Sequence, residues 1–114
     1  MKKLLSIVLL SITFVIIAIQ PPAFAADIAH GKQIFGANCA ACHMGGRNTI
    51  MAPKTLKQDA LSKYLKGFDD DALAAVTYQV TNGKGAMPKF GGRLKPNDIE
   101  DVVAYVLDQA ENGW

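Results

Sequence analysis

The chain has 114 residues, half of them apolar and 19% charged, with 12 Lys and Arg against 10 Asp and Glu. A length of this order holds one compact domain and leaves no room for a second with its own core. The two surplus basic residues, Lys2 and Lys3, stand at the start, so residues 26–114 carry ten charges of each sign; a near-neutral domain lacks the clustered positive charge that nucleic acid or an anionic membrane requires.

Lys2 and Lys3, the apolar run from Leu4 to Ile19, Pro21-Pro22 and Ala23-Phe24-Ala25 follow the layout of a secretory signal peptide. Residues 1–25 are expected to be removed by cleavage after Ala25, leaving a single domain over 26–114. The alternative is a retained anchor, but the run is shorter than the roughly 20 apolar residues a membrane span needs, and it ends at helix-breaking prolines. The 89 residues that follow can fold alone, although domains this small often depend on a cross-link, a metal or a cofactor.

Those residues predict an all-α domain. A first helix starts near Asp27, whose carboxylate suits an N-cap, and runs through Ile28, Gly31, Ile34 and Phe35 toward Cys39. Gly31 and Phe35 share a face. A glycine inside a helix costs about 1 kcal/mol relative to alanine, so Gly31 marks either a close approach or a tolerated flaw. Asp59–Lys66 reads as a short helix stopped by Gly67. Asp69 opens a clearer one, with Leu73, Val76 and Val80 on one stripe and Gly83 at its end. The cluster Asp69-Asp70-Asp71 suits the positive N-terminus of that helix better than a docking role. A last amphipathic helix has Pro96 at its first position, followed by Ile99, Val102, Val103 and Val106.

Cys39-Ala40-Ala41-Cys42-His43 is the Cys-x-x-Cys-His pattern of covalent haem attachment. Three residues apart on a helical turn, the two sulfurs reach the same side and each can form a thioether with a vinyl group, while His43 offers its imidazole to the iron. A disulfide redox site would need a βαβ context, which is missing. Structural zinc would need four ligands, which would take both cysteines, His43 and His30 together, and His30 stands two to three turns back on the helix.

A sixth iron ligand decides between an open site and an electron carrier. Met44 sits beside His43 and cannot reach the opposite face. Met51, eight residues on, would need an almost fully extended chain and is better suited to packing on the haem. Met87 lies in Asn82-Gly83-Lys84-Gly85-Ala86-Met87-Pro88, where glycines let the backbone approach a flat cofactor, and is the favoured ligand. His30 is on the helix that leads into the attachment motif and reads as a surface residue.

With these residues in view, the chain resembles the cytochrome c6 family. The likeness rests on the attachment motif followed by Gly45-Gly46 and Asn48, on Lys54-Thr55-Leu56, on Tyr78-Gln79-Val80 before Asn82-Gly83-Lys84, on Gly85-Ala86-Met87-Pro88, and on Trp114. The resemblance implies a small cytochrome c-like fold of about four helices around one covalent haem c, with thioethers at Cys39 and Cys42 and axial ligands His43 and Met87. It also implies a Gln79 that helps set the potential, an Arg93 facing redox partners, and a crossing of the first and last helices near Gly31, Phe35 and Tyr105. Lys89 departs from the family, which usually has a small residue there; with Lys84 and Arg93 it is expected to form a basic patch beside the haem edge.

The implied function is one-electron transport without enzymatic turnover, from cytochrome f of the cytochrome b6f complex to photosystem I, by a monomer in the thylakoid lumen that is not an integral membrane protein. The alternatives are a periplasmic carrier supplying a terminal oxidase, and a haem peroxidase or ligand sensor in which Met87 dissociates.

Overall fold

The computed structural model describes residues 26–114; the expected signal peptide over 1–25 lies outside them. Five helices follow in chain order: α1 (Ile28–Asn38), α2 (Ala40–His43), α3 (Gln58–Tyr64), α4 (Ala72–Asn82) and α5 (Pro96–Asn112). No strand occurs among the described residues, only two isolated bridges, so the all-α expectation holds.

The frame of the domain is the crossing of α1 and α5. α1 begins where Asp27 accepts the N–H of His30 at 3.0 Å, and α5 begins with Pro96 in its first turn and the Lys95 N–H donating to the Asp98 carboxylate at 3.2 Å. Gly31 is the contact point: a Cβ there would run into the Asp101 carbonyl of α5 and meet Tyr105 Cβ at 3.0 Å. Its place in the helix is therefore explained by close approach. Around the crossing, Ile34 and Phe35 of α1 pack with Ile99, Val102, Val103 and Val106 of α5, and Val103 is fully buried.

α4 closes the core from the other side through Val76 and Val80. It starts later than the acidic cluster predicts. Buried Phe68 and Gly67, at φ +82°, hold residues 65–71 in successive turns, with the Asp70 and Asp71 N–H groups both donating to the Gly67 carbonyl. The helix can begin only after Asp71, which caps it by accepting the Ala74 N–H at 3.0 Å; Asp69 instead accepts the Ser62 hydroxyl at 2.6 Å. The inward stripe is also turned by one residue: Ala72, Ala75, Val76 and Val80 pack on the core, while Leu73 is 58% exposed. At the other end Gly83, at φ +66°, stops the helix as expected.

These contacts separate two glycines of α1. Gly31→Ala is expected to lower unfolding free energy by about 2–3 kcal/mol through overpacking against backbone, whereas Gly36→Ala, with nothing within 4 Å of its Cβ, should raise it by about 0.5–1 kcal/mol through helix propensity. Urea titration of both variants checks the pair.

Candidate functional site

The attachment motif is built at the end of α1. Cys39 closes that helix by donating its N–H to the Phe35 carbonyl at 2.9 Å, and its φ of −119° breaks the axis. The motif therefore forms its own turn, α2, instead of extending α1. The Cys39 carbonyl then accepts the N–H groups of Cys42 and His43, at 3.2 and 2.9 Å, which brings the residues of the motif onto one turn. Neither cysteine is in a disulfide; Cys39 is half-buried against the core and Cys42 is exposed. Burial pushes the Cys39 thiol up to about 11. That moves it away from the thiolate that a redox or metal-binding cysteine needs at neutral pH.

His43 is held by the loop that follows. Gly45 and Gly46, at φ +62° and +74°, turn the chain back after α2. This brings the Arg47 carbonyl within 2.8 Å of His43 Nδ1. A carbonyl only accepts, so Nδ1 carries the proton and Nε2 keeps its lone pair. Asn48 braces the loop from inside: its side-chain oxygen accepts the N–H groups of Ile50 and Met51, and its amide donates to the Lys54 carbonyl. Gly46 and Leu56 close the loop with a 2.7 Å backbone bond, and the Thr49 N–H donates to the Cys42 carbonyl at 3.1 Å.

Met87 lies in the loop between α4 and α5. Lys84 and Met87 exchange two backbone hydrogen bonds of 3.0 Å, and Phe90 and Gly91 donate to the Val80 and Thr81 carbonyls, tying the loop to α4. Gly83 permits this: a Cβ there would sit 2.5 Å from the Met87 carbonyl oxygen. The Met87 side chain is half-buried against the core, and the Gln79 amide donates toward its sulfur at 3.7 Å. Met44 and Met51 are 61% and 50% exposed. The basic residues Lys84, Lys89 and Arg93 are all exposed around this loop.

Two features escape sequence reasoning. His30 is a partly exposed histidine with a partner: its Nδ1–H donates to Asp101 at 2.8 Å, and the other Asp101 oxygen accepts the Asp27 N–H at 2.8 Å. The hint was an acid at 101 inside the apolar stripe of α5. Trp114, legible only by resemblance, donates its indole N–H to the Leu56 carbonyl at 3.0 Å and stacks with Phe35 and Tyr105.

Among the described residues no group of three or more His, Cys, Asp and Glu side chains could hold a bare metal ion. The donor set fits a covalent haem instead: two cysteines on one turn outside any disulfide, an imidazole with Nε2 left free, and a half-buried thioether sulfur.

Comparison with known proteins agrees. The family model described as cytochrome C oxidase, cbb3-type, subunit III matches residues 26–106. The crystal structure of cytochrome c6 from the diatom Phaeodactylum tricornutum superposes with a TM-score of 0.75 at 54% identity, covering 78% of this chain and all of that one. The fold and its cofactor are thus those of a c-type cytochrome, an electron-transport protein with one covalently attached haem c. Cytochrome c6 of Limnospira maxima is 72% identical over 88 residues, 77% of this chain and 99% of that protein, and cytochrome c6 of the red alga Porphyra purpurea is 54% identical over the full length of both. The chain belongs to the cytochrome c6 family.

The His30–Asp101 pair predicts a pH dependence remote from the haem donors. The hydrogen bond to Asp101 raises the His30 pKa above 6.5, and the same bond lowers the Asp101 pKa below 3.8. The histidine's contribution is complete below 6.5 and is lost as pH rises through its raised folded value; the aspartate's is complete above 3.8 and is lost as pH falls through its lowered folded value. The stability gap between the native chain and His30→Phe should therefore be widest between these two pH values and narrow on both sides. Urea midpoints across pH 3 to 9 measure it.

Proposed function

We propose that Cys39 and Cys42 hold the haem by thioether bonds, that His43 and Met87 are the axial iron ligands, and that the chain shuttles single electrons from cytochrome f of the cytochrome b6f complex to photosystem I. The observation that carries this reading is the imidazole of His43, fixed by the Arg47 carbonyl with Nε2 free to bind a metal. In this reading residues 1–25 are a cleaved signal peptide, and residues 26–114 act as a monomeric soluble domain in the thylakoid lumen.

Bound haem supplies a one-electron ferric–ferrous couple. His43 and Met87 would together leave the iron no open position, so that no substrate would reach it and the chain would work as a carrier without enzymatic turnover. His43, its Nδ1–H held by a carbonyl, is an oriented and more basic donor, as metal-bound histidines with such an outer partner are. The Met87 sulfur favours the ferrous state relative to a second histidine and so raises the potential. The Gln79 amide, donating toward that sulfur, withdraws electron density from it and acts in the same direction.

The exposed Lys84, Lys89 and Arg93 beside the Met87 loop give a nearly neutral protein a local positive surface, suited to steering an acidic partner. The oxidase named in the matching family model supports a second reading, a periplasmic carrier that supplies a terminal oxidase. The two readings share every haem ligand and differ only in the acceptor.

Met87→Ala is expected to abolish the iron-to-methionine charge-transfer band and lower the potential; a retained band would remove Met87 from the iron. Laser-flash kinetics with isolated photosystem I, set against turnover with a purified terminal oxidase, separates the two acceptors. Exchanging Lys89 and Arg93 for Glu should slow the reaction at low salt by about tenfold and flatten its dependence on ionic strength. An unchanged salt profile would place docking elsewhere.

A further inference from the structure

The C-terminal tryptophan touches the loop that holds His43 at both of its closing residues. Its indole N–H donates to the Leu56 carbonyl at 3.0 Å. Its ring lies on Gly46, so close that a Cβ on that glycine would be 2.5 Å from the ring carbons. Gly46 and Leu56 are the two residues whose 2.7 Å backbone bond closes the loop, so one side chain covers the joint. The next residue after Gly46 is Arg47, whose carbonyl receives the His43 Nδ1–H.

The tryptophan is itself fixed. Its ring centroid is 5.3 Å from that of Phe35 on α1 and 6.0 Å from that of Tyr105 on α5, the latter edge to face. Phe35 and Tyr105 stack on each other at 5.3 Å. The contacts form a path from the rigid helix crossing, through the indole, to Gly46, and one residue along the chain Arg47 presents its carbonyl to the imidazole.

We infer that Trp114 is a positioning residue for His43: it pins the Gly46–Arg47 segment so that the Arg47 carbonyl keeps its hydrogen bond to the imidazole. This rests on His43 being an iron ligand. A glycine at φ +74° beside a second glycine at +62° has little conformational stiffness of its own, and the loop it opens is otherwise exposed from Thr49 to Pro53. The Arg47 N–H also donates to the Met44 carbonyl, at a long 3.3 Å; with the indole gone the Arg47 carbonyl is held less firmly, and the bond that fixes the imidazole's tautomer and tilt weakens.

The test is hydrogen exchange at the His43 ring, read by NMR on the reduced holoprotein for the native chain, Trp114→Phe and Trp114→Ala. Trp114→Phe keeps an aromatic ring and loses only the bond to Leu56, so it guards against a Trp114→Ala variant that does not fold. The His43 Nδ1–H is expected to exchange at least tenfold faster in Trp114→Ala, and by a smaller factor in Trp114→Phe. The reference is the amide of Val103, which reports global opening because it sits in the fully buried core. Acceleration confined to the ring proton supports positioning. Equal acceleration of the His43 and Val103 protons, or none at the ring in Trp114→Phe when Trp114→Ala is unfolded, overturns it and leaves Trp114 a packing residue. Failure of the underlying reading looks different: the His43 ring protons of the native chain would then lack the large shifts of an iron-bound imidazole, before any variant is made.

Discussion

Gly31 lacks a side chain, and this lets α1 lie against α5 with the Asp101 carbonyl in the space a Cβ would fill. The other features of the domain are arranged around that contact. It sets the distance at which Phe35 meets Tyr105, and it brings the start of α1 to the Asp101 carboxylate, which accepts both the Asp27 N–H and the His30 ring N–H. It also creates the aromatic shelf that receives Trp114. Close packing of backbone on backbone tolerates no intermediate distance, so the crossing acts as a datum for the parts placed on it.

The proposed haem donors are attached to this datum in different ways. Cys39 and Cys42 belong to the turn that follows α1 directly, and Cys39 packs on the core. His43 depends on a loop whose own stiffness is low: the Arg47 carbonyl orients it, and Asn48 and the indole brace the loop that carries that carbonyl. Met87 is carried by a loop laced to α4 through the Phe90 and Gly91 amides. A carrier benefits from this division: a site whose surroundings stay put when the iron changes charge pays little reorganisation in each transfer.

The parts of the fold governed by local chemistry were legible in the sequence. Asp27 caps a helix, Gly83 ends one and Pro96 starts one because each rule involves only a few neighbouring residues. The covalent haem was legible because two cysteines and a histidine at that spacing have few other uses. The start of α4 was not, since it depends on Phe68 being buried by elements distant in the chain, and the same long-range packing turns Leu73 outward. His30 offered no local sign of Asp101, 71 positions away. The group that orients His43 is a main-chain carbonyl, which any residue at position 47 would supply, so no side-chain signature marks it.

The crossing of α1 and α5 also orders events in time. The helices that make the central contact are separated by most of the domain, so a growing or threading chain holds α1, the Cys39–His43 turn and α4 with nothing to pack them on until α5 arrives. Loop closure over that span is slow compared with forming a single helix turn. During this interval the two cysteines and the imidazole belong to an open, flexible segment, and the half-burial of Cys39 against the core has not yet been imposed. A topology that joins its first and last described helices late thus leaves both cysteines accessible for covalent chemistry beforehand, and packs Cys39 against the core only afterwards.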